Sequence, residues 1–405
     1  MKPICLRRVP LMILPLPLVA LLASIGACAG SDEGDVNPPL DDGGARDSTI
    51  ADTSMPDDAS DGGVDPESGA LRCSGEFCLV DLPNPGAYGF TRWSFSGVQV
   101  DPILGVWAIA NGVSGIDVAT GQMLRFEGDA WKPVQAPVLG AGADRQNIRL
   151  ASLSTDGAGK LLAVGSTLDY AAGAIVRGDG ATFTTESFDA SLEASWFAEP
   201  GLAWVAGRGG AIFRASSDGG WISESDESGS DFVSIWGTGP NDVYVGGVES
   251  EMSWPRFGYL GHRTVDDEGA KWAFATFPEL QPWWSKEHVI LAGIALTGGP
   301  SFWAAPDVLA RGTVDGGGGG GGESWEADPF NPRAGIKAFW ARSANDIWAV
   351  GDIGRIFHFD GTAWKSMSLV FNGAPLVANL TGVAGTSDGD ILVVGDGVAL
   401  RRQAP

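Results

Sequence analysis

The chain has 405 residues, with 26 Lys and Arg against 50 Asp and Glu, for a formal net charge of −24. So acidic a balance argues against a nucleic-acid partner, whose phosphates need a basic face. The histidines, His262, His288 and His358, each stand alone in their stretch, so neither a zinc site nor any other metal or cofactor is expected.

Lys2, Arg7 and Arg8 give the chain a positive start, and an apolar run from Val9 to Ile25 follows. Pro10, Pro15 and Pro17 interrupt the run and acidic residues come after it, the order of a secretory signal and not of a transmembrane helix. The run closes on Ile25-Gly26-Ala27-Cys28, which resembles the lipobox of bacterial lipoproteins. The resemblance implies a signal peptide over 1–27, a lipid on Cys28 and anchoring to a membrane of the cell envelope. Ala29, where no aspartate stands, implies passage to the outer membrane by the same resemblance. A plain cleaved signal, with Ala23 or Ala27 at the cut and a secreted product, is the alternative.

Residues 31–70 set twelve acidic side chains against Arg46 and are otherwise mostly Gly, Ser, Pro, Ala and Thr. Too little apolar surface is on offer to offset the entropy of ordering, so 28–70 is expected to be a disordered acidic tether. Asp57-Asp58-Ala59-Ser60-Asp61-Gly62 offers oxygens to calcium, but without the spacing of an EF-hand loop. Cys73 and Cys78 remain once Cys5 and Cys28 are set aside. In an exported chain they are expected to pair as a disulfide; a metal half-site and two free thiols are the alternatives.

From residue 71 to 405 the chain repeats. Phe232-Val233-Ser234-Ile235-Trp236-Gly237 leads to Asn241-Asp242-Val243-Tyr244-Val245-Gly246. Ile336-Lys337-Ala338-Phe339-Trp340 leads to Asn345-Asp346-Ile347-Trp348-Ala349-Val350-Gly351, and Leu380-Thr381-Gly382-Val383-Ala384-Gly385 to Asp390-Ile391-Leu392-Val393-Val394-Gly395. Weaker copies centre on Val106-Trp107-Ala108-Ile109, Leu161-Leu162-Ala163-Val164, Ala203-Trp204-Val205-Ala206 and Phe302-Trp303-Ala304-Ala305. A third apolar strand and a tryptophan-bearing fourth follow where the unit is complete, as in Asp360-Gly361-Thr362-Ala363-Trp364. The spacing of roughly 40–60 residues and the period-2 patterning predict blades of four short antiparallel strands. Seven units give an all-β, seven-bladed β-propeller, with six or eight blades as alternatives. The last unit stops after Val398-Ala399-Leu400 without a fourth strand, and Phe77-Cys78-Leu79-Val80 is expected to supply it and close the ring.

These units resemble the BNR/YVTN-like propeller repeats of bacterial envelope proteins over about residues 76–402. Ser216-Ser217-Asp218-Gly219-Gly220-Trp221 is the nearest match to the family's Asp-box, in shortened form. That motif marks a turn, so the resemblance implies fold and not activity.

No catalytic residues stand out: there is no Gly-x-Ser-x-Gly elbow and no HExxH, and Trp254-Pro255-Arg256-Phe257 does not reproduce a sialidase arginine motif. The candidate ligand-binding residues are Trp254, Arg256, Trp283 and Trp284, on two insertions that a propeller places on one face. Loop aromatics of this kind stack on sugars or anchor a protein partner; gap-filling between blades is the alternative role. The reading is a monomeric, surface-anchored, non-catalytic binding or scaffold protein with a glycan or protein ligand. An envelope glycan hydrolase or lyase is the alternative.

Overall fold

A computed structural model describes residues 72–250, 256–266, 269–277, 289–313, 324–330, 332 and 334–403. Cys28 and the tether, and Trp254, Trp283 and Trp284, lie outside the described residues. The fold is a seven-bladed propeller of four-stranded antiparallel sheets. Blades 1 to 7 have as first strands Arg92–Asp101, Gln146–Thr155, Leu192–Glu199, Asp231–Gly239, Ala292–Ala295, Ile336–Ser343 and Leu380–Gly385. These innermost strands surround the axis. The second strands, among them Leu161–Thr167 and Ser301–Ala305, are buried along their whole length. That is why the sequence reads there as unbroken apolar runs: each sheet is covered on both faces by its neighbours.

Blade 7 is completed from the other end of the chain. Phe77–Leu79 pairs antiparallel with Val398–Arg402, with Phe77 opposite Arg402 and Leu79 opposite Leu400. Phe77 is buried and meets Trp348 of blade 6 edge to face at 6.0 Å between ring centroids. Cys73–Ser74 adds a fifth, short strand, and a Cys73–Cys78 disulfide ties it to Phe77–Leu79. The pairing leaves blade 7 without an open edge at its fourth strand.

All seven first strands share one local rule that shapes the axis. Each enters through a buried apolar residue, then one residue of variable chemistry, then a small one. The sets are Phe95-Ser96-Gly97, Leu150-Ala151-Ser152, Leu192-Glu193-Ala194, Phe232-Val233-Ser234, Ile290-Leu291-Ala292, Ile336-Lys337-Ala338 and Leu380-Thr381-Gly382. In six blades the ladder to the second strand skips the middle residue, a β-bulge; in blade 5 the ladder starts just after it, at Ala292. The bulge releases that residue from the sheet and re-aims it. The small residue that follows lets seven strands converge.

Neighbouring blades are keyed together by indoles seated on glycines. Trp236 of blade 4 packs against Gly293 of blade 5, and Trp340 of blade 6 against Gly385 of blade 7; a β-carbon at either glycine would lie 2.2 Å from the ring. Blades 3 and 4 are joined by a carboxylate instead. Glu224 accepts from Arg263 Nε at 2.7 Å, Arg214 Nε at 3.1 Å and Trp272 Nε1 at 3.0 Å. Burial pushes its acidity the other way, but these donors outweigh it and hold the carboxyl below its ordinary range.

Candidate functional site at the channel mouth

The axis of the ring is a channel of about 260 Å³. All seven bulge-position residues line it: Ser96, Ala151, Glu193, Val233, Leu291, Lys337 and Thr381. They sit at the start of the first strand in blades 3 to 7 and midway along it in blades 1 and 2. The turns between second and third strands and the blade-to-blade connections emerge at the end where the first strands begin.

The mouth is charged but paired. Lys337 Nζ lies 2.7 Å from Asp352 Oδ1, which stands on the turn after the second strand of the same blade. In blade 7 the equivalent residue, Asp396, accepts from Ser94 Oγ at 2.6 Å. Both aspartates are turn residues in contact with the inner strands. Glu193 binds two arginines, Arg149 Nη2 at 2.5 Å and Arg208 Nε at 3.2 Å. The ring of Tyr170 lies against both guanidinium groups, at 5.1 Å and 4.1 Å. Arg256 is at this face too: its Nε donates to the Glu249 carbonyl at 3.0 Å and its Nη2 stands 3.8 Å from Asp231 Oδ2. Of the four residues picked out in the sequence, Arg256 alone falls among the described residues. Among the described residues no group of three or more His, Cys, Asp and Glu side chains converges to hold a metal.

Exposed apolar side chains stand on the same face. Eleven large apolar residues are exposed among those described, and six of them, Tyr88, Ile116, Leu168, Tyr170, Ile353 and Val377, lie on its turns and connections. Two of these have left-handed backbones, Tyr170 at φ +60° and Ile353 at φ +58°. A β-branched residue there is strained, and such strain gathers where a surface is shaped for use. Sequence reading missed Arg149, Tyr170, Glu193, Arg208 and Lys337. The one readable signal was a charge inside an otherwise apolar-x-small entry, as in Leu192-Glu193-Ala194 and Ile336-Lys337-Ala338.

No family model matches the chain, and no curated protein does. Solved structures do. A solved structure of YCF48 bound to D1 peptide is 16% identical, with a TM-score of 0.56, covering 82% of this chain and 97% of the other. YCF48 from Cyanidioschyzon merolae is 13% identical, with a TM-score of 0.54 over 82% of this chain and 99% of that one. The extracellular domain of the putative hybrid two component system BT4673 from B. thetaiotaomicron is 13% identical at a TM-score of 0.55. There the match covers 78% of this chain and 38% of that one. At such identities the likeness is one of fold: all are propellers in the matched region.

Proposed function

We propose that this chain is a non-catalytic binding or scaffold protein of the cell envelope that receives a protein ligand on the face around the channel mouth. The observation that carries the reading is that six exposed large apolar side chains stand on that face, two of them on left-handed turns. The likeness to YCF48 bound to D1 peptide and to the extracellular domain from B. thetaiotaomicron supports a protein ligand and an envelope setting. The likeness of the units to BNR/YVTN-like repeats supports the same setting. In this proposal residues 1–27 are the signal peptide, Cys28 carries the lipid, 28–70 is the tether and 71–405 is the binding domain. Trp254, Trp283 and Trp284 extend the binding rim beside Arg256.

The test is to screen the mature chain on peptide and glycan arrays and to repeat each hit with Ile353→Asp, Ile116→Asp and, on an outer strand, Ile222→Asp. Hits lost with the first two and kept with the third support the face. Hits that survive both mouth substitutions refute it.

A further inference from the structure

Blades 2 and 3 meet at the mouth in a group of two arginines, Arg149 and Arg208, that share the single carboxylate of Glu193. Asp169 and Asp231 beside them are held by their own turns. Asp169 accepts from Thr167 Oγ1 at 2.6 Å and Ala171 N at 3.1 Å, which holds its carboxyl below the ordinary range. Asp231 accepts from Gly209 N at 3.0 Å and faces Arg256.

The same boundary also has donors with nothing to donate to. Arg149 Nε is buried without an acceptor among the described residues, and so are the hydroxyls of Ser166 and Ser191. Ser166 is the cross-strand partner of Arg149, so the two side chains stand on one face of blade 2. Ser191 opens blade 3, and its carbonyl accepts from Arg208 N at 3.0 Å. Buried donors without an acceptor of their own are met by water or by a group that arrives from outside. The Arg208 side chain is about half exposed, with an accessibility of 47%. Tyr170 beside it keeps an exposed ring on a backbone that costs energy to hold.

We propose that Arg149, Arg208 and Tyr170, with Ser166 and Ser191 behind them, form a docking site for a carboxylate presented by an acidic side chain of a protein partner. The inference rests on the reading of this face as the ligand face. Arginine is the residue that grips carboxylates with two parallel hydrogen bonds. The tyrosine ring supplies apolar contact for the methylene stem of the incoming side chain.

The experiment uses the full chain and two labelled hexapeptides, alternating Ala-Glu and alternating Ala-Gln, read by fluorescence anisotropy. The Glu peptide is expected to bind roughly tenfold tighter than the Gln peptide, the size of one lost charge-assisted pair. Arg208→Gln is expected to erase that preference, and Lys132→Gln, on an outer strand, to leave it intact. Tyr170→Asn, which tolerates the left-handed backbone, is expected to weaken the Glu peptide severalfold with unchanged thermal stability. Equal binding of the two peptides, no binding of either, or wild-type behaviour of Arg208→Gln overturns the proposal. So does inorganic phosphate that displaces the Glu peptide at lower concentration than free glutamate. If array hits require Ile353 but not Arg208, the ligand face stands and the carboxylate site falls.

Discussion

Trp236 of blade 4 occupies the space that any side chain at Gly293 of blade 5 would need, with its Cε2 2.2 Å from where a β-carbon would stand. Gly293→Ala is therefore expected to force the indole off its seat and cost about 1–3 kcal/mol by overpacking. Gly239→Ala, where no atom lies within 4 Å of the added carbon, should stay within about 0.5 kcal/mol of the wild type. Urea unfolding of both variants checks the contrast.

Ring closure ties the N-terminal strand to blade 7. Phe77→Ala is expected to cost about 3–5 kcal/mol by opening a cavity against Trp348. Loss of the Cys73–Cys78 bridge should cost less, about 2 kcal/mol, because the loop it closes is short. Labelling of both cysteines in the folded, unreduced protein would sink the pairing.

Stability should fall in acid through Glu224. Its folded carboxyl titrates below the ordinary 4.5, so its contribution is fully present above that value. The contribution drains away as pH drops through the folded value and the carboxylate takes up its proton. Glu224→Gln is expected to flatten this acid limb. At neutral pH it should cost on the order of 3 kcal/mol, since Arg263 is left buried without its counter-charge. Unfolding curves at neutral pH and near pH 3 separate the two effects.

One comparison of tryptophans tests the proposed binding rim against packing. Trp283→Ala is expected to weaken ligand capture by on the order of 2 kcal/mol and leave stability unchanged. Trp348 is buried and donates to Asp346 at 2.8 Å, so Trp348→Ala should cost about 3–5 kcal/mol in stability. Equal stability losses in the two variants would make Trp283 a packing residue.

The lipid proposed for Cys28 has a direct signature. Intact mass of the mature chain should exceed the polypeptide mass by the acyl groups, and Cys28→Ser should remove the excess and release the protein from membranes. A wild-type mass with no excess rules the anchor out.

The blades were legible in the sequence because each second strand must be apolar on both faces, as Asp346-Ile347-Trp348-Ala349-Val350 shows, and because turns punctuate the strands at a steady interval. Closure was legible because Leu400 lacks a following strand and Phe77-Cys78-Leu79 has the missing pattern. The charged group at the mouth was not. Arg149, Tyr170, Glu193 and Arg208 come from four separate segments, and only the twist of blade 2 against blade 3 brings them together. The bulges were hidden for a related reason: a bulge is a property of two paired strands, and the period-2 reading of Leu192–Glu199 alone assigns Glu193 to the wrong side.

The bulge ring separates two duties that most binding sites mix. The apolar residue before each bulge is buried in the wheel, while the residue at the bulge lines the lumen. Ser96 and Thr381 are still tied to the wheel, by Asn111 and by the Phe95 carbonyl, but Ala151, Val233 and Leu291 have no such bond and are open to rewriting at little cost in folding energy. A library varied at these three sites would change what the pore admits while its architecture stays constant.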